Sequence, residues 1–259
     1  MASLIIVLDL DETIIASRKE YKSANNLKPY ARYESLNIEV NKYMLGIIHK
    51  AIKLKNMGKN IIIILMTNNT NFTSIYQGTN EPKKFLELAF PLLIEEYNKH
   101  YKPPLKDINA MFDKIITAED SVRRRRESIV NSRNKTKMRE RPIKNLQEVR
   151  LALDISQPTS ELAAAGGGGG HTDIDPNSVY IIDDEKIPHV FIKELPENNY
   201  IQIPPYEVGS DGHWQPPDKL NLLSQRLDTL EIAQTYQKAA GRTNTRRKKR
   251  YKKYRKLQK

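Results

Sequence analysis

Two rhythms run along this chain: short uninterrupted apolar runs alternate with longer stretches in which apolar residues return every three or four positions. The first run, residues 4–8 (LIIVL), has three β-branched side chains among five and reads as a strand buried on both faces, as in the middle of a parallel sheet. Residues 61–66 form a second such strand and 112–117 a short third. A fourth covers 178–182, and a fifth, 200–203, is closed off by Pro204 and Pro205. Between the first two, Val40, Tyr43, Met44, Ile47, Ile48, Ala51 and Leu54 recur at helical spacing over 40–57, with Gly58 just past the helix end. A helix over 82–97 has Pro82 in its first turn and Phe85, Leu88, Ala89, Leu92 and Leu93 on one face, and residues 102–105 break it. Helical spacing returns at Ile143, Leu146, Val149 and Leu153, then over 220–240 through Leu220, Leu223, Leu227, Leu230 and Ala233, with Gly241 as a stop. Strands separated by helices predict right-handed βαβ crossovers and a parallel sheet covered on both faces, hence an α/β class. Residues 15–40 are polar and rich in turn formers such as Ser17, Asn25, Asn26 and Pro29, and read as a surface excursion, a flap over the end of the first strand.

Composition narrows the classes. At 259 residues the chain is long enough to bury a substantial core. It has no cysteine, which excludes disulfides, thiolate metal sites and cysteine-based phosphatase chemistry. No stretch approaches the roughly 20 apolar residues needed to span a bilayer, and the first apolar run meets Asp9 after five residues, unlike a signal peptide. The expectation is a soluble, intracellular protein, nuclear or cytoplasmic, with no membrane partner. The net charge of +12 is unevenly placed. Eleven Lys and Arg and no acid lie in the tail 242–259, leaving 32 basic against 31 acidic residues elsewhere. A second basic island spans 123–141, with nine Lys and Arg against Glu127 and Glu140. A low-complexity insertion, 156–172, includes five consecutive glycines and reads as a surface loop without chemistry.

The candidate chemistry sits where apolar runs stop. Asp9 and Asp11 follow the first strand; as an isolated D-x-D they fit solvated turn formers or helix caps as well as a paired-carboxylate site. Thr67 follows the second strand, Lys144 opens a helix, and Asp183 with Asp184 follows the fourth strand. In a parallel sheet all the carboxyl ends face one way, so these strand-end groups can converge on one crevice. Carboxylates brought together there need a counter-charge, and Mg²⁺, which takes one or two carboxylates plus substrate phosphate, fits the residue types. The Thr67 hydroxyl, the Lys144 ammonium and backbone N–H groups would hold a phosphate. His171, His189 and His213 are scattered singly and offer no metal-ligand spacing, and Trp214 reads as a packing anchor.

The stretches Asp9-Leu10-Asp11-Glu12-Thr13-Ile14, Met66-Thr67-Asn68-Asn69, Ile143-Lys144-Asn145-Leu146 and Ile182-Asp183-Asp184-Glu185 resemble, in order, the four motifs of the haloacid dehalogenase (HAD) phosphotransferase superfamily. Within it they are most similar to the branch of small protein phosphatases acting on the RNA polymerase II C-terminal domain. The resemblance implies a Rossmannoid three-layer α/β/α sandwich with a mostly parallel sheet and a small cap or none. The catalytic domain would cover 1–218, followed by a C-terminal helix over 219–241 and a basic tail over 242–259. It implies Asp9 as nucleophile, Asp11 as general acid and base, and Thr67, Asn68 and Lys144 as substrate-binding residues. Mg²⁺ would be held by the Asp9 carboxylate, the Asp11 backbone carbonyl and Asp183 or Asp184.

The substrate implied is a phosphoprotein of the polymerase-tail kind. Two alternatives come from elsewhere in the sequence. The residues after Ile14 lack a hydrophobic pattern for docking a proline-directed phosphopeptide, and the 123–141 island would attract any polyanion, which leaves room for a nucleic-acid end phosphatase. That island also fits a plain solvated loop. In the tail, Arg246, Arg247, Lys248, Lys249, Arg250, Lys252 and Lys253 interleave with Tyr251 and Tyr254. This run suits nucleic-acid contact, an acidic partner, a nuclear-import signal or a solubilising terminus. A third possibility is a structural protein on the same fold, anchored by its tail to nucleic acid or to neighbouring subunits within a viral or other large assembly.

Overall fold

The structure, a computed structural model, describes residues 4–21, 33–67, 74–75, 83–117, 146, 149–150, 153, 174–185, 195–210 and 212–236. The Gly-rich insertion, the basic island, the tail, Asn68, Lys144, His171 and His189 lie outside them.

Five strands form one sheet. They are β1 (Leu4–Leu8), β4 (Ile61–Met66), β7 (Lys114–Ile116), β8 (Val179–Asp183) and β9 (Tyr200–Gln202), in the order β7-β4-β1-β8-β9. Every pairing is parallel. The chain builds outward from β1 through β4 to β7, then returns to the other side of β1 with β8 and β9, so the order reverses at β1. This is an α/β, Rossmann-like sheet, and its switch point is where such sheets bind ligands.

The apolar runs are continuous because both faces are covered, and alternate residues sort cleanly by face. Leu4, Ile6 and Leu8, together with Ile61, Ile63, Leu65, Tyr180 and Ile182, belong to one core with α1 (Lys42–Asn56) and α2 (Phe85–His100). A third helix, α3 (218–236), joins the same layer through Leu220, Leu223 and Leu227. Ile5, Val7, Ile64, Met66, Val179 and Ile181 face a second core with Leu146 and Val149, which lie in the helical stretch expected from the apolar spacing. The result is three layers, helix, sheet and helix. Trp214 anchors the segment before α3: its Nε1 donates to the Pro204 carbonyl at 2.9 Å, and its ring lies 6.0 Å from that of Tyr43. No helix among the described residues is long and apolar enough to cross a membrane.

Within the stretch read as a flap, β2 (Ile15–Tyr21) and β3 (Tyr33–Val40) pair antiparallel. They belong to a second sheet of order β2-β3-β5-β6, with β5 (Ser74–Ile75) and β6 (Lys83–Lys84). Backbone pairing makes this hairpin, so a polar run such as Ser17 to Glu20 hides it from an apolar pattern. One expectation needs correction: α2 begins at Phe85 rather than beside Pro82, because Lys83 and Lys84 are extended in β6. Its inward face is Phe85, Leu86, Ala89, Leu93 and Tyr97, while Leu92 points out. Pro91 sits inside α2, where it removes one helical hydrogen bond.

Helix α1 is held on both flanks. Toward α3, Lys50 reaches Ser224 and Asp228, both at 2.8 Å, and Lys53 pairs with Glu231 at 2.7 Å. Toward α2, the His49 ring stacks on Tyr101 with centroids 4.2 Å apart, and His49 Nδ1 lies 2.9 Å from the Tyr97 hydroxyl. Burial pushes the Tyr97 pKa up to about 12, so the hydroxyl stays protonated beside the ring. Burial, then the nearby Lys53, hold the His49 pKa below its usual 6.5, against an opposing pull from Glu231. The unfolded chain therefore binds a proton before the folded one does. His49 contributes stability above about pH 6.5 that is lost as pH falls through its lowered folded value. In urea unfolding at pH 7 and pH 5, His49→Gln, which can hydrogen-bond Tyr97 but does not titrate, is expected to lose less stability on acidification than the wild type. An equal loss in both proteins would contradict this.

Candidate active site

The site forms because β1 and β8 are neighbours that end together. Their register runs to Leu8 opposite Ile182, so the next residues on each strand are Asp9 and Asp183. The Asp9 N–H donates to the Ile182 carbonyl at 3.0 Å, carrying the ladder one residue beyond β1. Adjacent strands lie about 4.8 Å apart, and the carboxylates follow. Asp9, Asp183 and Asp184 each offer an oxygen within 4.8 Å of the others. Asp9 and Asp183 are 5% and 1% exposed, so their charges sit in the protein and not in solvent.

The loop after β8 is fixed by its own backbone and by β9. Asp183 accepts from the Glu185 N–H at 3.0 Å, and its carbonyl accepts from the Ile203 N–H at 2.9 Å. The Tyr200 hydroxyl donates to the Glu185 carbonyl. At the end of β4, Thr67 is buried and its N–H donates to the Ile116 carbonyl at 2.9 Å, which places it at the same edge of the sheet.

Beyond Asp9 the chain reverses tightly. The Leu10 carbonyl accepts from the N–H groups of both Ile14 and Ile15 at 3.0 Å, and Glu12 adopts a left-handed φ of 55°. Such a conformation is costly for a non-glycine residue unless its surroundings enforce it. Here they do: the Glu12 carbonyl accepts from the Tyr206 N–H at 2.6 Å, and its N–H donates to the Ile15 carbonyl at 2.7 Å. Asp11 lies in this turn, half-buried, with its Oδ1 shielded from solvent.

Two buried polar residues were not assigned a role from sequence. The Thr13 hydroxyl donates to Asp184 Oδ1 at 3.3 Å. Asn41 caps α1, its Oδ1 accepting from the N–H groups of Tyr43 and Met44, while its Nδ2 donates to the Thr13 carbonyl at 3.2 Å. Asn41 is legible in principle, as an Asn just ahead of a helical apolar pattern. Its reach to Thr13 is not, because it depends on where β1 ends relative to α1.

Of the residues singled out from sequence, the structure thus gathers Asp9, Asp183 and Asp184. It sets Asp11 in the adjoining turn and Thr67 on the next strand end. Among the described residues, three carboxylates with no histidine make a hard oxygen donor set, suited to Mg²⁺ or Ca²⁺. No family model matches the sequence, and no curated protein matches it. Among solved structures, the chain is similar to fission yeast RNA polymerase II CTD phosphatase Fcp1 bound to beryllium fluoride, with 13% sequence identity and a TM-score of 0.35. That similarity covers 94% of this chain and 55% of the other, so the chain spans about half the length of that protein.

Proposed function

We propose that this chain is a Mg²⁺-dependent phosphatase of the haloacid dehalogenase type, cleaving phosphomonoesters through an aspartyl-phosphate. The observation that carries the reading is the convergence of Asp9, Asp183 and Asp184 at the switch point of the parallel sheet, directly beyond β1. Four motif-like stretches in the expected order support it.

In this reading an Asp9 carboxylate oxygen attacks phosphorus, and the bond to the leaving oxygen breaks as Asp11 delivers it a proton. Asp11, now a carboxylate, takes a proton from water, whose oxygen attacks the same phosphorus. The phosphate leaves and Asp9 is regenerated. Thr67 and Lys144 hold the phosphoryl oxygens, the former by hydroxyl and the latter by charge. Asp9, the Asp11 carbonyl and Asp183 or Asp184 would hold Mg²⁺, which when bound neutralises charge developing on the transferring group.

The substrate we assign is a phosphoprotein segment of the polymerase-tail kind. A nucleic-acid end is the second reading, favoured by the 11 basic residues of 242–259 and the nine of 123–141. The test compares kcat/KM for phosphoserine peptides, 5′- and 3′-phosphorylated oligonucleotides and p-nitrophenyl phosphate, with Mg²⁺ and after chelation. Peptides ranking first, with activity lost on chelation, is the expected result. Oligonucleotides ranking first would move the assignment to nucleic-acid ends. No turnover of any substrate would leave the structural, tail-anchored role.

A further inference from the structure

We infer that Asn41 is a positioning residue for the carboxylate cluster, acting through Thr13 on Asp184. The inference rests on the reading of that cluster as a divalent-cation site.

The capping role of Asn41 does not account for its identity. Ser, Thr and Asp cap a helix about as well, through an oxygen acceptor alone. Asn41 uses both ends of its amide: Oδ1 takes the two α1 N–H groups at 3.1 and 3.3 Å, and Nδ2 donates to the Thr13 carbonyl. Its backbone N–H also donates to the Ile14 carbonyl at 2.8 Å, so one residue clasps two successive carbonyls of the turn. An aspartate there would keep the cap and lose the donor, and a serine would keep the cap without the amide group that extends to the Thr13 carbonyl.

What the clasp fixes is the Thr13 side chain. Thr13 is 0% exposed and Asn41 2%, so neither can exchange its partners for water. With the Thr13 backbone held from α1, its hydroxyl lies against Asp184 Oδ1. At 3.3 Å this bond is longer than the usual 2.7–2.8 Å for O–H···O. Its contribution is therefore orientation more than strength: it holds one oxygen of a half-buried carboxylate that clusters with Asp9 and Asp183. Hydrogen bonds of this kind to ligating carboxylates typically govern metal affinity by about 10- to 100-fold. The chain Asn41 to Thr13 to Asp184 thus ties the helix start to a strand end that is remote in sequence.

The experiment is Mg²⁺ titration calorimetry on the full chain, with metal-free thermal unfolding and Mg²⁺-dependent p-nitrophenyl phosphate turnover measured alongside. Thr13→Val, which keeps the shape and removes the hydroxyl, is expected to weaken Mg²⁺ binding about tenfold or more. Thr13→Ser restores it to within about twofold. Asn41→Ser, which keeps the cap, weakens it by a smaller factor and lowers the metal-free Tm, because the buried Thr13 carbonyl loses its amide donor. In all three, turnover at saturating Mg²⁺ stays near the wild-type value while the Mg²⁺ required shifts in parallel with affinity. Wild-type Mg²⁺ affinity in Thr13→Val overturns the inference, as does equal weakening in Thr13→Val and Thr13→Ser. Absence of Mg²⁺ binding by the wild-type chain overturns the cation site itself and this inference with it.

Discussion

Replacing Asp9 with Asn is expected to lower phosphomonoester turnover by at least about 10⁴-fold, the scale of losing a covalent nucleophile, while the protein stays folded. The two side chains have nearly the same shape. The bond that fixes residue 9 in the sheet, its N–H to the Ile182 carbonyl, is a backbone bond and survives the change. What disappears is a carboxylate oxygen able to attack phosphorus, together with one negative charge of the cluster. An amide oxygen is a poor nucleophile at neutral pH, so the defect falls on kcat and is not rescued by more substrate. Steady-state kinetics with p-nitrophenyl phosphate, paired with a thermal melt, check it. Turnover within about tenfold of the wild type would mean that Asp9 does not form a bond to substrate.

Asp183→Asn has the second-largest expected effect, and it separates function from stability. The wild-type side chain accepts from the Glu185 N–H, which an amide oxygen can still do, so the loop keeps its shape. Only the charge is removed. With Asp9 and Asp184 left to hold the cation, Mg²⁺ affinity is expected to fall by about 100-fold, and activity at low Mg²⁺ with it. Without metal the outcome reverses. Like charges about 5 Å apart in a buried setting repel by an amount on the order of 1 kcal/mol or more, so removing one raises the metal-free Tm by about 2–4 °C for a chain of this size. A site kept for function at a cost in stability should behave this way. A lower metal-free Tm together with unchanged Mg²⁺ affinity would show that Asp183 serves the fold instead.

The sheet was legible where physics writes it locally. β1, β4 and β8 are covered on both faces, so their sequences are continuous apolar runs that a helix or loop would not need. The end of α1 was also readable, since Gly58 takes a φ of 89° that favours glycine. β2 was hidden because residues 17–20 are polar in sequence, so only its backbone pairing with β3 marks it as a strand. The start of α2 was displaced because Pro82 fits a helical first turn as well as an extended segment, and only pairing of β6 with β5 decides between them.

The site divides in the same way. That Asp9 and Asp183 each follow a buried strand is written in sequence, but their adjacency follows from strand order: β8 crosses to the side of β1 opposite β4. Nothing local encodes that choice. The clasp from Asn41 to Thr13 was further out of reach, since it joins a helix cap to a turn carbonyl, and neither residue type announces the other.

The most direct test of the central claim is the location of the phosphoryl group during turnover. The wild-type protein is mixed with p-nitrophenyl phosphate and Mg²⁺, quenched in acid during the steady state, digested and examined by mass spectrometry. A phosphoryl group on Asp9, absent after chelation, is the predicted result. Turnover with no phosphoryl group on Asp9, or with one on another residue, would contradict it.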